Sequence, residues 1–378
     1  MDSLDTRKII VVGMEHYNPL GLIRILGKNG ISPDYIAIKH KSKVASLSKY
    51  VSKVHHVDNI EQAVELLLSE YGTGYDEAPV ILTTDDDVQS LIDDRYEEFK
   101  DRFIFFNSGR AGRTTEFMDK KKILDVAKKN GLQILDTWSV KKGDIPDDLT
   151  YPIITKSISP NVGGWKSDVF ICESEEDLRK AFEKIESPQV LLQRYLDKKN
   201  EICIDGFSID SGRALFNPIC TTYNYNLDGY YSPYMTMHPY FLDEKTTRGI
   251  ADMMAEIGFE GVYSIEFLLG PDDELYFTEI NFRNSPWNCG AAKMGMPIPL
   301  LWIEAMLTGR IQDNWYRPVP KGFKAMIEPV DHRKRVLEGD LDLADWLTDF
   351  KNVECPFYQD DDDPEPFREM VRNWEKLS

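Results

Sequence analysis

The chain has 378 residues, 42% of them hydrophobic, and a formal net charge of −19. That length suggests two or three domains with ample core, and the hydrophobic share excludes a disordered chain. The negative charge speaks against nonspecific binding to nucleic acid or to an anionic membrane, and for solubility, although local lysines and arginines can still hold phosphates.

Lys8–Val12 reads as a short apolar strand, followed by Gly13, a loop and the apolar-periodic Leu20–Leu26. Asp34–Ile38 reads as a second strand, Ile60–Tyr71 as an amphipathic helix, Pro79–Thr83 as a third strand and Phe103–Phe106 as a fourth. Strands alternating with helices imply a parallel α/β sheet. The loop Gly13–Gly21 is not GxGxxG, and GxxxxGK[ST] occurs nowhere, so both nucleotide fingerprints are missing. Asp85-Asp86-Asp87, at a strand end, could border a crevice, but a solvated loop or helix cap is the commoner meaning.

Phe117–Asn130 reads as a second amphipathic helix stopped by Gly131. Its lysines, Lys120, Lys121 and Lys122, would ordinarily mark a wet face. Leu149–Ser157 is a strand with Lys156 inside an apolar run; a lysine there is costly to bury unpaired, so it sits on an edge or faces an anion. Pro160–Ser167 follows as a turn with Gly163, Gly164 and Lys166, able to cradle phosphates although a plain hairpin turn has the same composition. Val169–Cys172 is a strand, Ser174–Ile185 a helix and Gln189–Leu196 another strand; Glu201–Ser208 is expected to pair with Ala214–Thr221. Tyr223–Tyr240, rich in Tyr, Asn and Pro, has no clear period and is expected to be an ordered, ligand-facing loop, with His238 structural. Helix Asp243–Ile257 precedes the hairpin treated next; helix Pro297–Gly309, strand Phe323–Pro329, helix Asp342–Phe350 and a solvated Gln359–Asp363 loop come after it. Cys172, Cys203, Cys220, Cys289 and Cys355 are scattered without a CxxC pair, which fits a reducing compartment. The polar start MDSLDTRK shows no signal peptide and no apolar span is visible, so the expectation is a cytoplasmic protein without a membrane partner.

The stretch Gly261–Ser285 carries the most chemistry. Val262–Leu269 and Leu275–Phe282 flank Gly270-Pro271-Asp272-Asp273-Glu274, the composition of a β-hairpin. A symmetric register about the turn sets Glu266 opposite Glu279, with Asn281 and Arg283 on the face of Glu279. Opposed carboxylates ~5 Å apart repel, so they need a cation or one must protonate. Two carboxylates and an amide oxygen are hard ligands that suit Mg2+ together with nucleotide phosphates. A solvated hairpin face is the plain alternative, disfavoured by Phe267, Leu268, Tyr276, Phe277 and Ile280.

The order of these parts, from Lys8 to Gly309, resembles the ATP-grasp superfamily. Asp119-Lys120 is similar to its linker lysine and Lys156 to its second nucleotide lysine. The turn with Gly163 and Gly164 resembles its phosphate-covering loop, short of glycine here. LLQRYL resembles its adenine hinge, where the backbones of Arg194 and Leu196 would meet the base and Gln193 stands where many members carry Glu. Glu201 resembles its ribose-binding acid. Glu266, Glu279 and Asn281 resemble its magnesium ligands, and Arg283 its catalytic arginine. Catalytic roles are implied for Arg283, Glu279 and Lys156.

The resemblance implies an α/β protein, α+β in parts, divided into an N-terminal α/β domain (1–115), a linker helix with a central lid (116–195), a catalytic C-terminal subdomain of mixed sheet (196–310) and an extension packed on the core (311–378). It implies ATP and one or two Mg2+, with Mn2+ able to substitute. The implied reaction joins a carboxylate to an amine through an acyl phosphate and releases ADP and phosphate. Small-molecule substrates, amino acids or short peptides, are expected, with no nucleic acid; a homodimer is common among such enzymes, but the sequence does not settle it. A bicarbonate-using or carbamoylating enzyme and a nucleotide-binding regulator without turnover are the alternatives. Arg283 could instead simply pair with one of the two glutamates.

Overall fold

The computed structural model describes residues 7–39, 43–158, 168–227 and 232–374. The apolar runs near the N-terminus form a parallel sheet of β1 (Ile9–Met14), β2 (Asp34–Ile38), β3 (Lys53–Val57) and β4 (Val80–Thr83), ordered β3-β2-β1-β4. β2 and β4 are buried at every position, as strands of a covered parallel sheet must be. β3, KVHHV, is a half-exposed edge without an apolar run, which is why the sequence did not announce it. The strand expected at Phe103–Phe106 is a correction: only an isolated bridge from Ile104 to Val80 forms. Phe103 and Phe105 instead pack with Phe99 in the core on one face of this sheet.

A second sheet is antiparallel: β5 (Thr137–Lys141), β6 (Ile153–Ser157), β7 (Ile171–Cys172) and β8 (Gln189–Arg194), ordered β5-β8-β6-β7. The helix Glu175–Lys184 packs its buried Leu178, Ala181 and Phe182 on this sheet. The turn with Gly163, Gly164 and Lys166 lies outside the described residues. The helix expected over Phe117–Asn130 is broken at Asp119, whose extended backbone ends Arg113–Met118 and whose carboxylate caps Lys120–Lys129 by accepting from the N–H groups of Lys121 and Lys122.

The third sheet has seven strands: β9 (Asn200–Ile209), β10 (Ala214–Tyr223), β11 (Tyr234–Pro239), β12 (Gly261–Leu269), β13 (Leu275–Asn281), β14 (Phe323–Met326) and β15 (Cys355–Pro356). Their order is β13-β12-β9-β10-β11-β14-β15, antiparallel except for β14 beside β15. β11 corrects the expected long loop: Met235 and Met237 alternate into the core and His238 bonds the Thr222 hydroxyl at 2.7 Å. The Gln359–Asp363 loop is also not solvated at its end. Asp363 is 1% exposed and receives Arg24 Nε at 2.9 Å, the Ser48 hydroxyl at 2.7 Å and the Lys49 N–H at 2.9 Å. Among the described residues, no helix is long and apolar enough to cross a membrane.

Candidate active site

The hairpin β12–β13 places its carboxylates by an irregularity. Leu269 pairs with Leu275 and Phe267 with Phe277, so an unbroken ladder would set Glu266 against Thr278. A bulge between Glu266 and Phe267 shifts the register, and Glu266 faces Glu279 after all. The Thr278 hydroxyl returns to the Glu266 carbonyl at 2.9 Å. The symmetric register expected from the turn is thus corrected, although the pairing it was meant to produce is present.

A cleft of about 700 Å3 opens over this hairpin, walled by all three sheets. Lys120, Lys156, Gln193, Arg194, Leu196, Glu201, Glu266, Glu279, Asn281 and Arg283 all line it. Lys120, first residue of its helix, turns inward and pairs with Glu279 at 2.6 Å, whereas Lys121 pairs with Asp125 and Lys122 with Glu116 on the outside. The cation that two opposed carboxylates require is therefore Lys120. Burial opposes the charge on Lys120, yet Glu279 outweighs it and raises its pKa. Lys120 in turn holds Glu279 below the usual carboxylate range. Glu266 has no such partner: burial, then Glu279 and Glu201, push it up, and the Asn281 amide donates to it at 2.9 Å.

Lys156 projects from β6 and donates to Gln193 Oε1 at 2.9 Å, while Gln193 donates to the Thr137 hydroxyl. Burial, then the charge of Lys120, lowers Lys156 to about 8. The N–H of Arg194 is committed to the Asp136 carbonyl at 2.9 Å, so its expected backbone contribution reduces to the carbonyl oxygen. Glu201 forms an ion pair with Lys198, a cleft residue that sequence reasoning missed although the two lie three positions apart.

Arg283 does not pair with either glutamate. Its Nε lies 3.1 Å from Asp86, with one Nη donating to the Asn284 carbonyl at 3.3 Å and the other to Asn281 Oδ1 at 3.2 Å. Each Nη nitrogen keeps a further N–H, enough for a bidentate carboxylate. Burial opposes its charge, and Asp86 and then Asp85 more than offset this. The triple aspartate is thus part of the site. Asp85 reaches the backbone N–H of Met14 at 3.0 Å because Gly13 leaves room: a Cβ there would meet Asp85 Oδ2 at 2.6 Å. Burial raises Asp85, but bonds from His16, Thr84 and Met14 hold it at about 2.

Among the described residues no three His, Cys, Asp or Glu side chains converge on a metal position. The donor set is two carboxylates and an amide, which fits Mg2+ when phosphate oxygens complete the shell. Asn281 presents its nitrogen to Glu266 and its oxygen to Arg283, so to join the set that oxygen would be shared between Arg283 and the cation.

No protein-family model matches the chain. It is 26% identical over 174 residues to N5-carboxyaminoimidazole ribonucleotide synthase of Staphylococcus aureus, a match spanning 44% of each chain and so less than half of that relative's length. Among solved structures it superposes on N5-carboxyaminoimidazole synthetase from Staphylococcus aureus with a TM-score of 0.65 at 15% identity, over 88% of this chain and 86% of that one. An L-amino acid ligase from Bacillus licheniformis gives 0.63 at 14% identity, over 83% and 78%. Biotin carboxylase from Campylobacter jejuni gives 0.63 at 18% identity, over 82% and 73%. The shared architecture is the three-domain ATP-grasp fold, and this chain has it.

Proposed function

We propose that the chain is an ATP-dependent ligase that joins a carboxylate to an amine through an acyl phosphate. The observation that carries this is the meeting of Lys120, Lys156, Glu266, Glu279, Asn281 and Arg283 in one cleft, although they come from two different sheets and a linker helix. Phosphoryl transfer needs positioning and charge neutralisation more than covalent help. Lys156, whose polar contact is a neutral amide, is free to take phosphate oxygens; Lys120 does so on leaving Glu279.

Ile154, Leu196, Phe267, Leu268 and Ile280 are apolar cleft residues that would receive a base, and Glu201, paired with Lys198, would hold the ribose. Glu266, Glu279 and Asn281 would hold magnesium, which when bound neutralises β- and γ-phosphate charge. Arg283 orients the substrate carboxylate, whose oxygen attacks the γ-phosphorus while the bond to ADP breaks. The amine then adds to the acyl carbon, loses a proton and expels phosphate. Closure of the central sheet over the cleft would keep water from the acyl phosphate.

The likeness to an L-amino acid ligase favours an amino acid as one substrate. The likeness to a biotin carboxylase domain of Hydrogenobacter thermophilus solved with MgADP and bicarbonate supports a second reading, in which bicarbonate is the carboxylate. Release of ADP, measured against single amino acids, pairs of amino acids and bicarbonate, separates the two. ATP binding with no ADP release under any of these conditions would leave only a nucleotide-binding regulator.

A further inference from the structure

The face of the large sheet that looks into the cleft is a grid. Glu279, Glu266, Cys203 and Thr221 lie side by side on β13, β12, β9 and β10. Asn281, Ser264 and Asp205 form the neighbouring row. Ser264 and Ser285 line the cleft, and Asp205 lies behind them, wholly buried. Its Oδ2 has a distant thiol, Cys203 Sγ, at 3.9 Å; its Oδ1 has no hydrogen bond of normal length among the described residues, the Ser264 and Ser285 hydroxyls standing near enough only to offset its burial in part. Thr221 Oγ1, one row away, is also buried without a partner. A buried carboxylate oxygen without a donor is costly and calls for one. What is missing here is a hydrogen-bond donor with positive charge, on the cleft side of Asp205.

The surroundings agree. Tyr223 and Trp287 wall this end of the cleft, their rings 6.4 Å apart, and aromatic faces attract cations. Asp86 pairs directly with Arg283 at 3.1 Å and Asp85 adds its charge, so a lone anion arriving at Arg283 meets two carboxylates beside the one guanidinium. Arg283 leans on Asn281, and Asn281 is the direct neighbour of Ser264.

We infer, on the ligase reading above, that the activated substrate is an amino acid held at both ends: its carboxylate on Arg283, its ammonium on the hydroxyl oxygens of Ser264 and Ser285 with Asp205 balancing the charge from behind. This assigns Asp205 to substrate selection rather than to ATP or metal.

Hydroxylamine as the acceptor tests this without knowledge of the natural amine, because it converts any acyl phosphate to a hydroxamate. ADP and hydroxamate are measured for the wild type with amino acids and with their desamino acids, such as aspartate against succinate or alanine against propionate, and with bicarbonate. The expected result is turnover of an amino acid with its desamino partner about 10-fold or more poorer in kcat/KM. Asp205→Asn should raise the amino-acid KM about 10-fold, leave the ATP KM unchanged and erase the preference for the ammonium. Ser264→Ala and Ser285→Ala should shift the same KM without removing a buried charge, and thermal melting confirms that each variant is folded. If the variants keep the preference, or if desamino acids or bicarbonate turn over as well as amino acids, the ammonium subsite is wrong and the ligase reading stands. If no carboxylate releases ADP from the wild type, the ligase reading itself falls.

Discussion

The ammonium of Lys120 lies 2.6 Å from the carboxylate of Glu279, across 159 positions of sequence. Each group occupies the place that the other's ligand would take: a phosphate for the lysine, a metal ion for the glutamate. On the proposed function, entry of a metal–nucleotide complex would exchange one internal ion pair for two external ones. Glu279→Gln should leave Lys120 free, so nucleotide binding persists while ADP formation falls about 100-fold or more. Equilibrium binding of ATP beside steady-state ADP release checks both halves; parallel loss of both would remove Glu279 from the chemistry.

Lys156 gives a pH signature. Burial and Lys120 lower it to about 8, so above that pH it is largely neutral in the free protein. A triphosphate beside it favours the cation and raises its pKa again. Nucleotide binding at pH 9 should then take up a proton, and binding at pH 7 should not. Calorimetry in two buffers of different ionisation enthalpy reads this directly, and Lys156→Met should abolish the uptake.

Asp205 makes a stability prediction of opposite sign to most carboxylates. Burial raises it from 3.8 to about 7, only partly offset by Ser285 and Ser264. The folded chain keeps this proton where the unfolded chain has lost it, so stability falls as pH rises from the unfolded value through the folded one. Asp205→Asn should therefore stabilise the fold at pH 8, by about 1–3 kcal/mol, with the gain fading toward pH 4. Denaturant melts at the two pH values decide the point; a destabilised Asn variant at pH 8 would contradict it.

Arg24 and Asp363 form a buried pair at 2.9 Å, and Arg24 also donates to the carbonyls of Phe357, Tyr358 and Asp363. Removal of one partner leaves the other charged and buried, which costs about 3–5 kcal/mol. Arg24→Met and Asp363→Leu should each destabilise by that order, and the double variant by less than the sum. Urea unfolding of the three proteins supplies the comparison.

The sequence was most readable where one local pattern implied the chemistry. Alternating apolar arms around Gly270–Glu274 announce the hairpin, and Lys156 stands out as a lysine inside an apolar strand. It was least readable where a partner lies far along the chain. Asp86 looks like one of three solvated aspartates until Arg283 folds against it, and Asp363 looks like the end of an acidic loop until Arg24 reaches it. The bulge at Thr278 could not be counted from turn length alone, since nothing local distinguishes a bulged threonine from a paired one. The pattern Met235-Thr236-Met237 alternates like a strand, but aromatic and asparagine-rich flanks concealed it.

The tail that ends in Asp363 also decides which parts of the molecule can move. β14 and β15 extend the sheet that carries the hairpin, Arg24 anchors Asp363 to the first helix, and Asn18 exchanges amide bonds with Asn284 at 2.7 and 2.9 Å. The first and third sheets are thereby riveted into one jaw, with the hairpin carboxylates and Arg283 fixed in its floor. The second sheet, bearing Lys156 on β6 and Gln193 on β8, is the other jaw. A hinge between them would set the distance from Lys156 to Glu279 and leave that from Arg283 to Asp86 alone, so opening and closing would meter access to the nucleotide without disturbing the pocket for its acceptor.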